Sequence, residues 1–507
     1  MKKRLLALGL ALCLALTACG GEGGVEDTPQ PAPTPTASAE PVQFALACYP
    51  EGGSHPITGT DRMDLALSGL IYEGLFALDS QFQPHEQLCA SYTVSEDALT
   101  WTFDLRSGVT FSDGSPLTSK EVAASLELAR TSGLYKARFA DVTSIRAGEG
   151  TVTISLGRAN GALPALLDVP IVKETGGTPL GTGPYVLTGS GEELALTARS
   201  GWWQGKALPI QTIPLRPMQE ADDLIHAFDT RDIALVATDL TGTNALGFSG
   251  SFETVDYPTS NMIFVGFNTA KGPCADVTVR RALQYGFDRS AVATLLLSRH
   301  ALPAALPISP VSPLYPEELG ESLEYSPQTL ADTLTAGGWT KNGDGWYKGR
   351  QALELDFVVP TGNNDRVAVA QHLAEGLRQA GIQVELRQLA WDAYLQALAA
   401  GDFDLYLGEV RLTADFDLTA FIAPTGALNY GKYNDAPAVN ALLAYRASTG
   451  QGRAAAAQQL CQRLTEAPPF AVLGFKNWSV LTQWSSISGL TPTQQNVFYG
   501  FADWKLS

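Results

Sequence analysis

The order of apolar and polar positions divides this 507-residue chain into a short apolar leader, a polar stretch and a long mixed body. Lys2, Lys3 and Arg4 precede an apolar run from Leu5 to Leu16. That run falls short of the roughly 20 residues needed to span a bilayer, and it predicts the core of a signal peptide over 1–18. From Gly20 to Glu40 the chain is Gly, Pro, Thr, Ala and acid, with no apolar side chain larger than Val25. Such a segment cannot bury enough surface to fold, so 19–41 is predicted to be a disordered tether ahead of a globular body starting near Pro41.

Within the body, Gln43 to Ala47 predicts a buried strand and Met63 to Leu75 an amphipathic helix, with Leu65, Leu67, Leu70, Ile71 and Leu75 near helical spacing. Thr100 to Arg106 alternates as a half-buried strand does. Ser112 to Pro116 is a turn, after which Thr118 and Glu121 form a capping box for a helix to about Ala129. Strands are predicted at Thr151–Leu156, Leu194–Ala198 and Met262–Phe267, and helices at Val277–Phe287 and Ser290–Leu297. Pro303 to Pro316 is a proline-rich excursion, and Asn342 to Gly345 a tight hairpin turn between Trp339 and Trp346. Strand 353–359, helix 366–380, strand 383–388, helix 391–400 and strand 403–407 then alternate as in an α/β fold.

A body of this length predicts two or three lobes. The full chain's 52 acidic residues against 34 basic ones, net −18, argue against nucleic acid and against electrostatic adhesion to anionic lipid. The body cysteines Cys48, Cys89, Cys274 and Cys461 form no CxxC pair, which disfavours a zinc site. In an exported chain they are expected either to form one structural disulfide or to stay as free buried thiols. The five histidines show no HExxH or HxH spacing. No nucleophile elbow or phosphate-binding P-loop occurs, and Gly181-Thr182-Gly183 lacks the third glycine of a dinucleotide fingerprint. No metal or cofactor is expected. Leu16-Thr17-Ala18-Cys19 resembles a bacterial lipobox, which makes Cys19 the expected lipidation site.

Several blocks carry a resemblance to a known family. They begin with Leu70-Ile71-Tyr72-Glu73-Gly74-Leu75-Phe76, then the run from Trp101 to Thr118 with Glu121-Val122. Gly181-Thr182-Gly183-Pro184-Tyr185 and Gly201-Trp202-Trp203-Gln204-Gly205-Lys206 follow. Phe267-Asn268-Thr269, Asp276 to Leu283, Asp288-Arg289, Asn429-Tyr430 and Tyr433-Asn434 complete the series. In this order they resemble the family 5 extracellular solute-binding proteins, the dipeptide, oligopeptide and nickel receptors of ABC importers. Most blocks have a structural reading of their own: Asp113-Gly114 as a turn, Trp202 and Trp203 as packing residues, Arg280 and Arg281 as helix residues paired with local acids.

The resemblance implies an α/β fold of the type II periplasmic-binding-protein-like kind. Lobe I would comprise 42–61, 179–265 and 475–507, an extra domain 62–178, and lobe II 266–474. Strands near Ile263–Phe267 and Val472–Phe475 would be the hinge crossings, and ligand would bind between the lobes as they close. The chain would be a monomer without catalytic residues, lipid-anchored on the extracellular face of the cytoplasmic membrane, as suits a monoderm bacterium. It would deliver a di- or oligopeptide to a membrane permease.

Ala414-Asp415-Phe416-Asp417 matches the stretch whose aspartate pairs with the peptide ammonium in peptide-binding members, making Asp415 the first candidate. A buried cation must be paired to recover its desolvation cost. Asp415 could instead be a loop acid or helix cap. Relatives usually carry Gly-Trp shortly before this aspartate; here Arg411-Leu412 stand there, and Arg411 either forks onto a ligand carboxylate or pairs with Asp415 or Glu409. Trp391 matches a cleft-lining tryptophan or serves the core. Tyr49 and His55 belong to the implied cleft loop of lobe I, where His55 contacts a metal chelate or bonds locally. A nickel chelate, an opine-like compound or an oligosaccharide stays open as ligand. So do a sensing or adhesion lipoprotein and a lipid-anchored hydrolase.

Overall fold

The computed structural model describes residues 44–49 and 55–507. The predicted signal peptide, Cys19 and the tether lie outside the described residues, as does most of the loop between Tyr49 and His55. Among the described residues no helix is long and apolar enough to cross a membrane.

Two long antiparallel strands, Phe252–Phe267 and Phe470–Gln483, form the spine. Their pairing loses register between Pro258 and Met262, and again between Ile263 and Phe264. Leu235–Thr238 adds to one end of the spine through residues 479–482. Leu405–Arg411 adds to the other end, followed by the parallel strands Glu354–Pro360 and Gln383–Leu389, and the short Ala301–Pro303 completes a seven-stranded sheet. Along the spine, Ile263, Val265 and Phe267 enter one apolar core while Met262 and Phe264 enter another. A strand alternates its side chains between faces, so a sheet covered on both sides needs an unbroken apolar run, and Met262 to Val265 supplies one.

The helix Asn364–Gln379 crosses over one face of this sheet and buries Val369, Ala370, Leu373, Ala374 and Leu377, at the spacing of one helical stripe. Asn363 caps it by accepting from Arg366 N at 2.8 Å. The predicted α/β alternation is therefore present, with Trp391–Ala400 helical at the predicted ends.

A four-stranded sheet, Leu46–Cys48, Thr212–Pro217, Ala195–Ala198 and Tyr185–Thr188, packs with the C-terminal residues Phe498, Phe501 and Trp504 in a third core. An antiparallel four-stranded sheet, Cys89–Val94, Thr100–Leu105, Thr151–Leu156 and Val142–Ala147, encloses a fourth. The helix Ser119–Thr131 closes that core with Val122, Leu126 and Ala129, and its Thr118–Glu121 capping box is formed as predicted. Burying Val122 and Leu126 completely contributes about 1.5–3 kcal/mol each.

The structure corrects or decides several expectations. The helix from Val277 stops at Leu283 rather than Phe287, and most of the predicted 290–297 helix is a π-helical turn over Val292–Leu296. Cys48, Cys89, Cys274 and Cys461 are separate, buried free thiols, so no disulfide links them. Arg280 does not pair with an acid: its guanidinium donates to the carbonyls of Pro468 at 2.8 Å, Cys274 at 2.7 Å and Ala275 at 3.2 Å. It ties chain segments that offer only backbone acceptors. The 340–348 segment is the predicted hairpin.

Candidate functional site

The family-like blocks converge on one buried carboxylate. Glu73 is 4% exposed and accepts from five side chains: Trp203 Nε1 at 2.7 Å, Thr182 Oγ1 at 2.7 Å, Gln204 Nε2 at 3.1 Å, Trp202 Nε1 at 3.2 Å and Gln87 Nε2 at 3.4 Å. Burial pushes the carboxyl above its ordinary value, and the donors from Trp203, Thr182, Trp202 and Gln204 oppose that push. Gly181 and Gly183 lie against the Ile71 carbonyl so closely that a Cβ on either would collide with it. Three distant blocks are thus locked together beside the cleft. The two tryptophans do more than pack, because both indoles are donors in this knot.

A cavity of about 450 Å³ opens beside the seven-stranded sheet and the strand Leu46–Cys48. Its volume lies in the range of about 300–1,000 Å³ typical of small-solute sites. Its wall includes residues 65–69 and 235–239, Glu73 with Gln87, Tyr135 and Arg138 with Asp168, and 411–414, Trp478 and 494–499. The lining has mixed charge. Arg138 is ion-paired with Asp168 and lies 4.9 Å over the Tyr135 ring. Burial pushes the Tyr135 hydroxyl up to about 12, against the pull of Arg138. Asp239 accepts from Lys476 Nζ at 2.7 Å, and Lys476, 2% exposed, also reaches Thr241 O at 3.2 Å and Glu409 at 3.5 Å.

Arg411 lines this cavity, with its guanidinium 5.3 Å over the Trp478 ring. Glu409, one of its two expected acidic partners, bonds Arg366 at 2.8 Å and also approaches Lys476. Leu412, Thr413 and Ala414 continue the wall. Asp415 comes next in the chain and is buried; its carboxylate accepts from Asn160 Nδ2 at 3.1 Å and from Thr413 Oγ1 at 2.5 Å. Close by, Arg446 bridges Asp141 and Asp417, and Gly161 N donates to the Arg446 carbonyl at 2.6 Å. The 141–161 region and the 415–446 region are therefore joined through buried polar groups.

The other candidates lie elsewhere. Trp391 is 55% exposed at the start of its helix, stacked on Tyr394 at 5.7 Å. Tyr49 is half-buried, and its N–H donates to Asp64 at 3.0 Å. His55 bonds Glu174 at 3.0 Å and accepts from Ile57 N at 3.1 Å. Of the five candidates in the body, only Arg411 is among the residues that line the cavity. Arg138, Asp168, Asp239 and the 494–496 segment also belong to the wall, outside the candidates legible in the sequence. They carry no periodic or motif signal, and only the fold brings them together.

A cleft between α/β sheet systems spanned by two long crossing strands defines a type II periplasmic-binding-protein-like receptor. The model of the bacterial extracellular solute-binding proteins, family 5 (middle region), matches residues 83–428, and the chain belongs to this family of ABC-importer binding proteins. Protein XP55 of Streptomyces lividans is 29% identical over 496 residues, covering 92% of this chain and 87% of that one. The glutathione-binding protein GsiB of Salmonella typhimurium is 27% identical over 304 residues, covering 56% of this chain and 59% of that one. The crystal structure of NikZ from Campylobacter jejuni in complex with Ni(L-His) matches the fold with a TM-score of 0.64 at 20% identity, over 92% of this chain and 99% of that one. The family implies a small solute and a permease as partners.

Proposed function

We propose that this chain is a lipid-anchored receptor that captures a di- to tripeptide in the cavity and delivers it to an ABC permease. The observation that carries this reading is the placement of Arg411 on the cavity wall, four residues before the buried Asp415. Arg411 forks onto the peptide carboxylate. Asp415, buried behind this wall and outside the cavity lining, takes the ammonium once the Asn160 amide moves aside and opens a path to its carboxylate. An extended chain advances at most about 3.3–3.6 Å per residue, so these anchors stand at most about 14 Å apart, a span that suits a short peptide. A relative that binds glutathione adds support. Cys19 carries the lipid.

Native mass spectrometry of protein purified without refolding tests the ligand class. Co-purified di- and tripeptides that disappear in Asp415→Ala are the expected result. A nickel chelate or a sugar in their place, or an unchanged peptide ladder in that variant, refutes the reading. Palmitate labelling that is lost in Cys19→Ala tests the anchor.

A further inference from the structure

We infer that Gln495 reads the last residue of the bound peptide, accepting its backbone N–H while Arg411 holds the adjoining carboxylate; this assignment rests on the peptide reading above. Gln495 lines the cavity, and its Oε1 is buried with no hydrogen-bond partner among the described residues. A buried carboxamide oxygen left unpaired is costly and rare, and a ligand N–H would satisfy it once the Gln495 carboxamide turns its oxygen into the cavity.

Both neighbours of Gln495 are engaged. Gln494 Nε2 donates to Ser260 Oγ at 3.1 Å, and Gln494 Oε1 accepts from Ser260 N. Asn496 Oδ1 accepts from Phe498 N at 2.9 Å, and the Asn496 carboxamide sits where a Cβ on Gly69 would have to go. The backbone is thus fixed on either side of Gln495.

The same serine fixes the opposite anchor. Leu412 N donates to Ser260 O at 3.0 Å, and Ser260 Oγ donates to Leu412 O at 2.6 Å. Arg411 and Gln495 therefore each stand one residue from a group bonded to Ser260. The Trp478 ring under Arg411 orients its guanidinium plane. A carboxylate and the N–H of the same amino-acid residue are separated by a single Cα, so one end of a peptide meets both anchors at once.

The test is a binding cycle by isothermal titration. The probes are trialanine and its depsipeptide analogue, in which an ester oxygen replaces the last N–H; the proteins are wild type and Gln495→Met. The ester should bind wild type about tenfold more weakly, as expected for one lost hydrogen bond to a buried acceptor. Gln495→Met should weaken trialanine by a similar factor, and the ester replacement should then cost that variant less than about twofold more. Equal binding of peptide and ester by wild type, or losses that simply multiply, overturns the Gln495 assignment and leaves the peptide reading standing. Failure of wild type to bind trialanine overturns both. The wild-type comparison needs no variant, so a Gln495→Met protein that folds poorly does not block the test.

Discussion

Replacing Glu73 with glutamine probes the knot that joins the family blocks. The two side chains have the same shape, so the change removes charge and one acceptor and leaves the packing alone. If the amide oxygen takes the Oε1 position, it still accepts from Trp202, Gln204 and Gln87. The amide nitrogen then faces Thr182, whose hydroxyl can turn round and accept, and Trp203, whose indole has only a donor. One buried N–H without a partner costs about 1–3 kcal/mol. The three remaining bonds lose their charge assistance, which roughly halves each. Glutamine no longer buries a charge, which offsets part of these losses, so the expected destabilisation is about 2–4 kcal/mol, measured by urea unfolding at pH 7 with tryptophan fluorescence. In a Trp203→Phe background the orphaned donor is gone, and the cost of Glu73→Gln should fall by about 1–3 kcal/mol. Burial pushes the Glu73 carboxyl upward, so the opposing case is well defined. Were the group carried protonated, glutamine would imitate it. A cost below about 0.5 kcal/mol, or a strictly additive cycle, refutes the reasoning.

Arg446→Met removes the cation shared by Asp141 and Asp417 from a buried site. Breaking such a network costs about 3–5 kcal/mol. Burial and then Asp415 already raise the Asp417 carboxyl, so the loss should shrink towards low pH, where Asp417 takes up a proton; a loss independent of pH in urea titrations contradicts this. Asp435→Asn keeps the helix cap on Ala438 N but removes the charge facing Arg463. The Arg463 hydrogen bonds hold the Asp435 carboxyl below its ordinary value. Its stabilisation is therefore complete above the unfolded value near 3.9 and is lost as pH falls through the folded one. Wild type should exceed the variant by about 1 kcal/mol from pH 5 to 8, and the two urea midpoints should converge in stronger acid.

Local chemistry made much of the fold legible. The capping box at Thr118, the hairpin at 342–345 and the helix Trp391–Ala400 each depend on neighbours within a few residues. The spine was only partly visible. Its apolar half is legible as Met262–Phe267, but Phe252–Tyr257 carries Glu253 and Asp256, and its strand state comes from pairing with residues 478–483. The π-helical turn at 292–296 has no sequence cue. Arg280 stands four residues after Asp276 in sequence, but its guanidinium is held by carbonyls in space. The site was legible least of all. Arg411 stood out because it departs from a pattern, whereas Gln495 lies in a polar C-terminal segment whose meaning depends on Ser260, more than two hundred residues away.

Ser260 lies within the interruption of the spine, between Pro258 and Met262, where the two long strands fall out of step. A break in a ladder bends its strand and sharpens the local twist. A rotation of the flanking sheets about this point carries distant walls of the cleft through the largest arcs and leaves the axis nearly still. The segments bearing Arg411 and Gln495 are fastened at that axis through Leu412 and Gln494. On the proposed reading, a solute held there would keep the same two groups at every cleft angle, so its first contact would also be its last, and the sweep of the outer walls would add grip without disturbing recognition.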